Sequence, residues 1–204
     1  MLSSEIRREK VRACLRHISC SDWERGQLRS SLHQKVTVRE PVPAAVLVPM
    51  VGHPEEPTII LTRRTDELQN HAGEISFPGG RVEPEDSGTL GAALREAREE
   101  LGLEADKVEV LGCLPPYDTL SGFRVRPFVG WLDPPVELRP DEREVAEVFE
   151  VPLGYLLDPA NHREEQIRVG SENRAFYVLE YEERRIWGAT AGILVELAGL
   201  LAES

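Results

Sequence analysis

The chain has 204 residues, of which 41% are hydrophobic and 29% are charged, which is the composition of one sizeable soluble domain. The 24 basic and 36 acidic side chains give a formal net charge of -12 at pH 7. Such a chain repels polyanions, so we expect neither nucleic acid nor a membrane surface as a partner.

Two further features of the sequence bear on location. The polar start lacks the apolar segment of a secretory signal, and no apolar run is long enough to span a bilayer. We interpret Cys14, Cys20 and Cys113 as reduced thiols, because an odd number without close pairing is typical of a reducing compartment. The prediction is a cytoplasmic protein, and its oligomeric state stays open.

The first half of the chain shows one helix and two strands before a glycine-rich stretch. Apolar residues at helical spacing predict a helix over 3–19, within an N-terminal extension that we place at 1–40, ahead of a domain at 41–204. The short β-branched runs 43–51 and 58–64 predict paired, buried strands, and 73–80 is a further extended piece. A helix is predicted from 88 to 101.

The second half is rich in strands. We predict strands at 108–114, 123–132, 144–152 and 174–181, a short helix after Pro152 and a final apolar helix at 188–202. Strands before and after an embedded helix indicate one compact domain of the α/β (α+β) class, with a large mixed sheet covered on both faces.

The helix at 88–101 carries an acidic face. At about 100° per residue, Glu96, Glu99 and Glu100 share one narrow side, whereas the apolar side chains share another, namely Leu90, Leu94, Ala97 and Leu101. Clustered carboxylates repel one another, and Mg²⁺ or Mn²⁺, which prefer oxygen ligands, would relieve that repulsion. The alternative is a solvated face that Arg95 and Arg98 neutralise.

A glycine-rich loop precedes this helix. Gly79 and Gly80 permit close backbone approach, and Pro78 stiffens the entry to the loop. A strand, loop and helix in this order can hold a metal at the helix face while the loop backbone approaches a phosphate. The pattern therefore favours metal-assisted attack of water on a phosphoanhydride.

The stretch "GGRVEPEDSGTLGAALREAREELGL" (79–103) resembles the signature of the Nudix hydrolases. Its second half matches from Arg95 to Leu103, with a small Ala97 where a bulky residue is usual. Its first half departs, because Gly80 lies one residue too far from Arg95 and Asp86 and Ser87 stand where a glutamate is expected. The resemblance implies a Nudix-type α/β/α sandwich with a mixed sheet.

One Nudix branch, the coenzyme A pyrophosphatases, has the same extra residue and an aspartate here. "LTRRTDELQNHAGEISFPGGRVEPED" (61–86) resembles their additional signature, and the resemblance covers roughly residues 43 to 200. Three positions depart from it: Ile60, Thr65 and Gln69, where a neutral amide replaces an arginine.

The resemblance implies roles for the acidic residues. Glu99 and Glu100 would be the primary metal ligands, and Glu96 would be a third ligand or would position the metal's water. Arg95 would orient an acid on the helix. Glu144, which follows "RPDER", is a candidate general base, and the alternative is a solvated acid at the edge of the site.

Substrate contacts are expected from the loop and from basic side chains: Arg64, His71, Gly79, Gly80 and Arg81. For His71 the alternatives are a phosphate contact and a structural role in the loop. Other basic side chains nearby in sequence are Arg63, Arg124 and Arg126.

Three functions follow from these features. The first is hydrolysis of the diphosphate of coenzyme A or its thioesters to phosphopantetheine, or its acyl form, and adenosine 3′,5′-bisphosphate. The second keeps the chemistry but acts on ADP-ribose, a dinucleotide or a nucleoside triphosphate. The third is a catalytically silent module that binds a nucleotide as a regulator.

Overall fold

A computed structural model describes residues 4–16, 18, 40–67 and 71–202 of the chain. Its helices are α1 (Ser4–Leu15), α2 (Gly88–Leu101), α3 (Leu153–Leu157) and α4 (Gly188–Ala202). The first strands are β1 (Val42–Val51), β2 (Thr58–Arg64), β3 (Ile75–Ser76), β4 (Gly79–Arg81), β5 (Glu109–Cys113) and β6 (Tyr117–Asp118). The later strands are β7 (Phe123–Leu132), β8 (Val145–Pro152), β9 (Arg163–Val169), β10 (Glu172–Tyr181) and β11 (Arg184–Trp187).

Strands β1 to β8 form one mixed sheet. Its central order is β3-β2-β1-β7-β5, with β4 paired to β1, β6 to β7 and β8 to β2. Strands β1 and β7 run parallel over their whole length, from Val42 opposite Phe123 to Val51 opposite Leu132, and the remaining pairs are antiparallel. The structure confirms the predicted mixed sheet.

Helices cover both faces of this sheet. Alternate residues of β1 point to opposite sides, so Ala45 and Leu47 pack in the core beneath α2, whereas Val48 and Met50 pack in the core beneath α1 and α4. On the predicted apolar side of α2, Ala97 and Leu101 are buried, and Leu90 and Leu94 pack against the core while partly buried. This layered arrangement confirms the predicted α/β/α sandwich.

The last strands build a second, smaller sheet. Strands β9, β10 and β11 are antiparallel in the order β11-β10-β9, and the small sheet buries Leu179 and Ile186 in the α4 core. The prediction of a single sheet is therefore wrong for this part. Strand β9, "REEQIRV", has polar side chains on both faces and only two apolar residues at its end, Ile167 and Val169, which explains why the sequence did not indicate it.

The boundaries of α2 agree with the prediction. The last helical residue is Leu101, and Gly102 caps the helix with a left-handed φ of 65°. The N–H of Gly102 contacts the carbonyls of Ala97 and Arg98. Helix α1 lies within the predicted 3–19 segment, and its Val11 and Leu15 join the main core.

Two findings bear on the predicted location. Cys113 is disulfide-bonded, so the expectation of a reduced thiol is wrong at this residue. In the described part of the chain, every helix is too short or too polar to cross a bilayer.

Candidate active site

The three acidic side chains of α2 lie at different depths on one face. Glu99 is exposed, Glu96 is partly buried and Glu100 is only 3% exposed. The helix gives them a common direction, and Glu100 contacts Arg64 at the end of β2 and Gly79 at the start of β4. The predicted acidic face therefore extends from solvent into the protein.

Glu100 is a buried carboxylate with few compensating contacts. Its Oε1 lies 3.6 Å from Arg64 Nη1, and the backbone N–H of Gly79 donates a hydrogen bond to the carboxylate. Its Oε2 is buried and has no hydrogen-bond partner in the described part of the chain. Burial raises the pKa of Glu100 to about 8, and the charges of Glu96 and Glu144 add to the rise while Arg64 opposes it.

Arg95 links the acids of the helix to the preceding loop. Its Nε and Nη2 donate to the two oxygens of Asp86 at 2.9 and 3.1 Å. Its Nη1 donates to Glu96 Oε1 at 2.9 Å and to Glu99 Oε2 at 3.1 Å, and Nη2 also reaches the carbonyl of Arg81 at 3.1 Å. The planar guanidinium thus fixes two acids of the face against the loop, as expected from the sequence.

Asp86 is the contact that sequence reasoning missed. Its side chain is 5% exposed and accepts from Arg95 and from the backbone N–H of Glu83 at 2.8 Å. The bond with Arg95 lowers the pKa of Asp86, so the carboxylate stays charged. The sequence offered one signal, an acid in the loop where the Nudix signature has a glutamate, but the bond itself depends on the path of the loop.

Glu144 joins the cluster from a different element. Its charge contributes to raising the pKa of both Glu96 and Glu100. The loop before it contacts the helix, because the N–H of Asp141 donates to the carbonyl of Glu100 at 3.0 Å. Glu144 directly precedes β8, and its carbonyl accepts from the N–H of Thr65 at 3.0 Å, just after β2. The pairing of β8 with β2 therefore brings this exposed carboxylate to the acidic face.

Burial is also the largest influence on the pKa of Glu96. It raises the pKa of Glu96, with added repulsion from Glu99 and Glu144, whereas Arg95 lowers it. The negative charges of the acidic cluster therefore repel one another. The guanidinium groups of Arg64 and Arg95 form ion pairs with three of these carboxylates: Glu96, Glu99 and Glu100.

The two loop glycines lie where side chains would collide. Gly80 pairs with Ala45 and faces α2, and a Cβ at this position would penetrate the Glu96 carboxylate. A Cβ on Gly79 would collide with the Ala45 carbonyl oxygen. Position 79 requires glycine because the clash is with backbone atoms of β1, whereas a side chain at position 80 would have to displace the Glu96 carboxylate.

The side chains of the remaining predicted binding residues make contacts outside the acidic face. His71 has a φ of 58° and pairs with Glu74, Nδ1 to Oε2 at 2.7 Å, in the turn before β3, which favours the loop role. Arg81 is paired with Ala44, which faces the other core, and its guanidinium lies 5.1 Å from the ring centre of Phe123. The prediction for Gln69 lies outside the described residues.

Other basic side chains nearby are held by acids. Arg63 lies 3.4 Å from Glu147, and Arg124 forms two bonds with Asp118 at 2.7 and 2.8 Å. Arg126 is buried in β7. Arg64 is thus the predicted basic residue whose side chain contacts the acidic face directly.

A family model described as the NUDIX domain matches residues 41–171. The chain belongs to the Nudix family. Two similar proteins, both described as uncharacterized Nudix hydrolase NudL, come from Yersinia enterocolitica and Cronobacter sakazakii. The first is 46% identical over 76% of this chain and 79% of its own length, and the second is 41% identical over 86% and 87%.

Among solved structures, a MutT/nudix family protein from Enterococcus faecalis has the same fold. It matches 96% of this chain and 74% of its own chain at a TM-score of 0.50 and 16% identity, so the likeness concerns the fold alone. The chain is a Nudix hydrolase, and members of this family generally use divalent metal ions.

The acidic face of this Nudix hydrolase fits such an ion by its chemistry. It offers carboxylate oxygens, which hard divalent cations prefer, and the buried Glu100 Oε2 has no hydrogen-bond partner among the described residues. As the side chains stand, no group of three described His, Cys, Asp or Glu residues is arranged to hold a metal. Arg95 binds one oxygen each of Glu96 and Glu99, two oxygens that such an ion would otherwise use.

Proposed function

We propose that this Nudix hydrolase cleaves the diphosphate of coenzyme A or its thioesters, releasing adenosine 3′,5′-bisphosphate and phosphopantetheine or its acyl form. One observation carries the proposal. The stretch 61–86, which resembles the additional signature of the coenzyme A branch, is the stretch that supplies Arg64, Gly79, Gly80 and Asp86 to the acidic face.

We propose Mg²⁺ or Mn²⁺ as the metal, with Glu99 and Glu100 as ligands and Glu96 as a third ligand or as the residue that positions water. Bound there, the ion would polarise the diphosphate and lower the pKa of a water molecule. Arg95 sets the directions of Glu96 and Glu99. Glu144, exposed beside this cluster, is our candidate to accept the proton of the attacking water.

Arg64 is our first choice for a contact with the substrate's phosphates. Its side chain is partly exposed, and Nη1 lies 3.6 Å from Glu100 Oε1, so the exposed part of the guanidinium can face a ligand, whereas Nε is buried. Gly79 and Gly80 allow the ligand's diphosphate to approach the backbone. Arg81 lies on the other face of β4, where it would meet a more remote part of the ligand, and His71 would shape the loop.

The test is product analysis by chromatography after incubation with Mg²⁺ or Mn²⁺. Coenzyme A, dephospho-coenzyme A and ADP-ribose are compared as substrates, with Glu100→Gln as the inactive control. We expect adenosine 3′,5′-bisphosphate from coenzyme A and a lower kcat/KM for the other two, because binding of the pantetheine arm and the 3′-phosphate positions the diphosphate. Intact coenzyme A beside rapid cleavage of ADP-ribose, a dinucleotide or a nucleoside triphosphate would overturn the proposal.

Two further expectations stay predictions. One is the division into an extension at 1–40 and a catalytic domain at 41–204. The other is the cytoplasmic location. The partner we propose is a small molecule of the coenzyme A class, without nucleic acid or membrane.

A further inference from the structure

The small sheet ends in an open edge at β9. Within the described residues this strand pairs only with β10, in a continuous register from Arg163 opposite Val178 to Val169 opposite Glu172. Six of its seven residues are exposed and the seventh is partly exposed. The strand has no proline and no bulge, which are devices that protect sheet edges from pairing with another chain, although four of its seven residues are charged.

Apolar side chains lie on one face of this sheet, next to the open edge. Ile167 is 45% exposed, Val169 38% and Trp187 40%. The registers place all three on the same face, since alternate residues and directly opposite residues share a face. Phe176 packs edge-to-face against Trp187, with ring centres 6.1 Å apart.

The charges of β9 fall into two groups. On the apolar face, Arg163 pairs with Glu180 and Glu165 pairs with Arg185, both at 2.6 Å. On the opposite face, Glu164 and Arg168 are exposed and form no ion pair within the described part of the chain. These two residues are of opposite charge and lie two positions either side of Gln166.

We propose that β9 pairs with β9 of a second copy of this chain, antiparallel and across a two-fold axis at Gln166. In this register Glu164 of each copy lies directly opposite Arg168 of the other, so the same ion pair forms twice, once on each side of the axis. The strand pairs over its full length, and its exposed backbone N–H and C=O groups gain partners. The two small sheets become one six-stranded sheet, with an Ile167 from each copy diagonally across the axis.

Other symmetric registers are less favourable. A two-fold axis in an antiparallel pair passes between a residue and its own copy, so the central residue defines the register. Centring on Glu165 places two glutamates opposite each other, and centring on Ile167 places Arg168 opposite Gln166 and takes Glu164 off the paired strand. The charge pattern therefore favours the register in which the two-fold axis lies at Gln166.

The test exploits the symmetry of the charges. Arg168→Glu places like charges opposite each other twice in a homodimer, and so does Glu164→Arg. A 1:1 mixture of the two variants restores opposite charges at both positions. We expect each variant alone to raise the dimer dissociation constant at least about tenfold, and the mixture to recover the wild-type value, by sedimentation velocity across a range of concentrations.

Lys107→Glu is the matched control for Arg168→Glu, because it makes the same change of net charge at an exposed site outside the small sheet. It should self-associate like the wild type, and circular dichroism should show all variants folded. A wild type that stays monomeric up to about 100 μM would overturn the proposal, since stable edge pairing gives a dissociation constant below that range. Variants that dimerise as tightly as the wild type, or a mixture that fails to recover, would overturn it as well.

Discussion

Replacing Glu100 with glutamine should stabilise the metal-free protein at alkaline pH while it abolishes hydrolysis. Glu100 is 3% exposed, and burial raises its pKa from 4.5 to about 8. The folded state therefore binds the proton more tightly than the unfolded state. The stabilisation is complete below about pH 4.5, declines as the pH rises, and is lost above about pH 8. Glutamine has the same shape without this titration.

The size of the effect follows from the shift. A rise from 4.5 to about 8 corresponds to at most about 5 kcal/mol of unfolding free energy, at about 1.4 kcal/mol per pKa unit. We expect at least about 2 kcal/mol to be measured, because local relaxation and water entry reduce the penalty of a buried charge. The difference in unfolding free energy between Glu100→Gln and the wild type should thus increase by this amount from mildly acidic to alkaline pH.

The assay is urea unfolding in the presence of a chelator, at about pH 5.5 and about pH 9, which lie on the two sides of the folded-state pKa of about 8. Glu104→Gln, an exposed change just after the same helix, is the control and should match the wild type at both values. Added Mg²⁺ should stabilise the wild type more than Glu100→Gln at alkaline pH. An equal stability difference at both pH values would refute the reasoning.

Three further outcomes are expected. Arg95→Lys should lower kcat by about 10- to 100-fold while circular dichroism stays unchanged, because lysine cannot bind Asp86 and two acids of the helix at once. Gly80→Ala should displace Glu96 and reduce turnover at least about tenfold, whereas Gly199→Ala, in α4 where a Cβ meets nothing within 4 Å, should leave turnover unchanged. Arg64→Ala should reduce kcat/KM for coenzyme A by about tenfold or more, and by less for ADP-ribose, in parallel steady-state assays.

Much of the fold was predictable because local patterns and tertiary structure agree. The β-branched runs became β1 and β2, and the helical spacing with Gly102 at its end fixed α2. Strand β9 could not be predicted in this way. Both its faces carry polar side chains, and it forms because β10 pairs with it rather than because a core attracts it.

The acidic face was predictable from helix geometry, but its connections were not. Glu96, Glu99 and Glu100 share a face at any site with this spacing. The approach of Glu144 depends on the pairing of β8 with β2 across about 80 residues of sequence, which no local pattern encodes. The outward direction of Arg81 depends on the register of β4, a strand of three residues.

The two arginines on the acidic face leave its carboxylates unequally available to a metal ion. Arg95 bonds to Glu96 and Glu99, so an ion that uses those oxygens must compete with a guanidinium already at 2.9 and 3.1 Å. Glu100 has no such competitor at Oε2, and its Arg64 contact is longer, at 3.6 Å. A buried carboxylate with an unsatisfied oxygen destabilises a fold, and a divalent cation compensates that cost better than one distant arginine. In the metal site that we propose, binding to Glu100 is therefore the most favourable contact for an incoming ion. Glu96 and Glu99 can bind the ion only if Arg95 releases their oxygens and keeps its bond to Asp86.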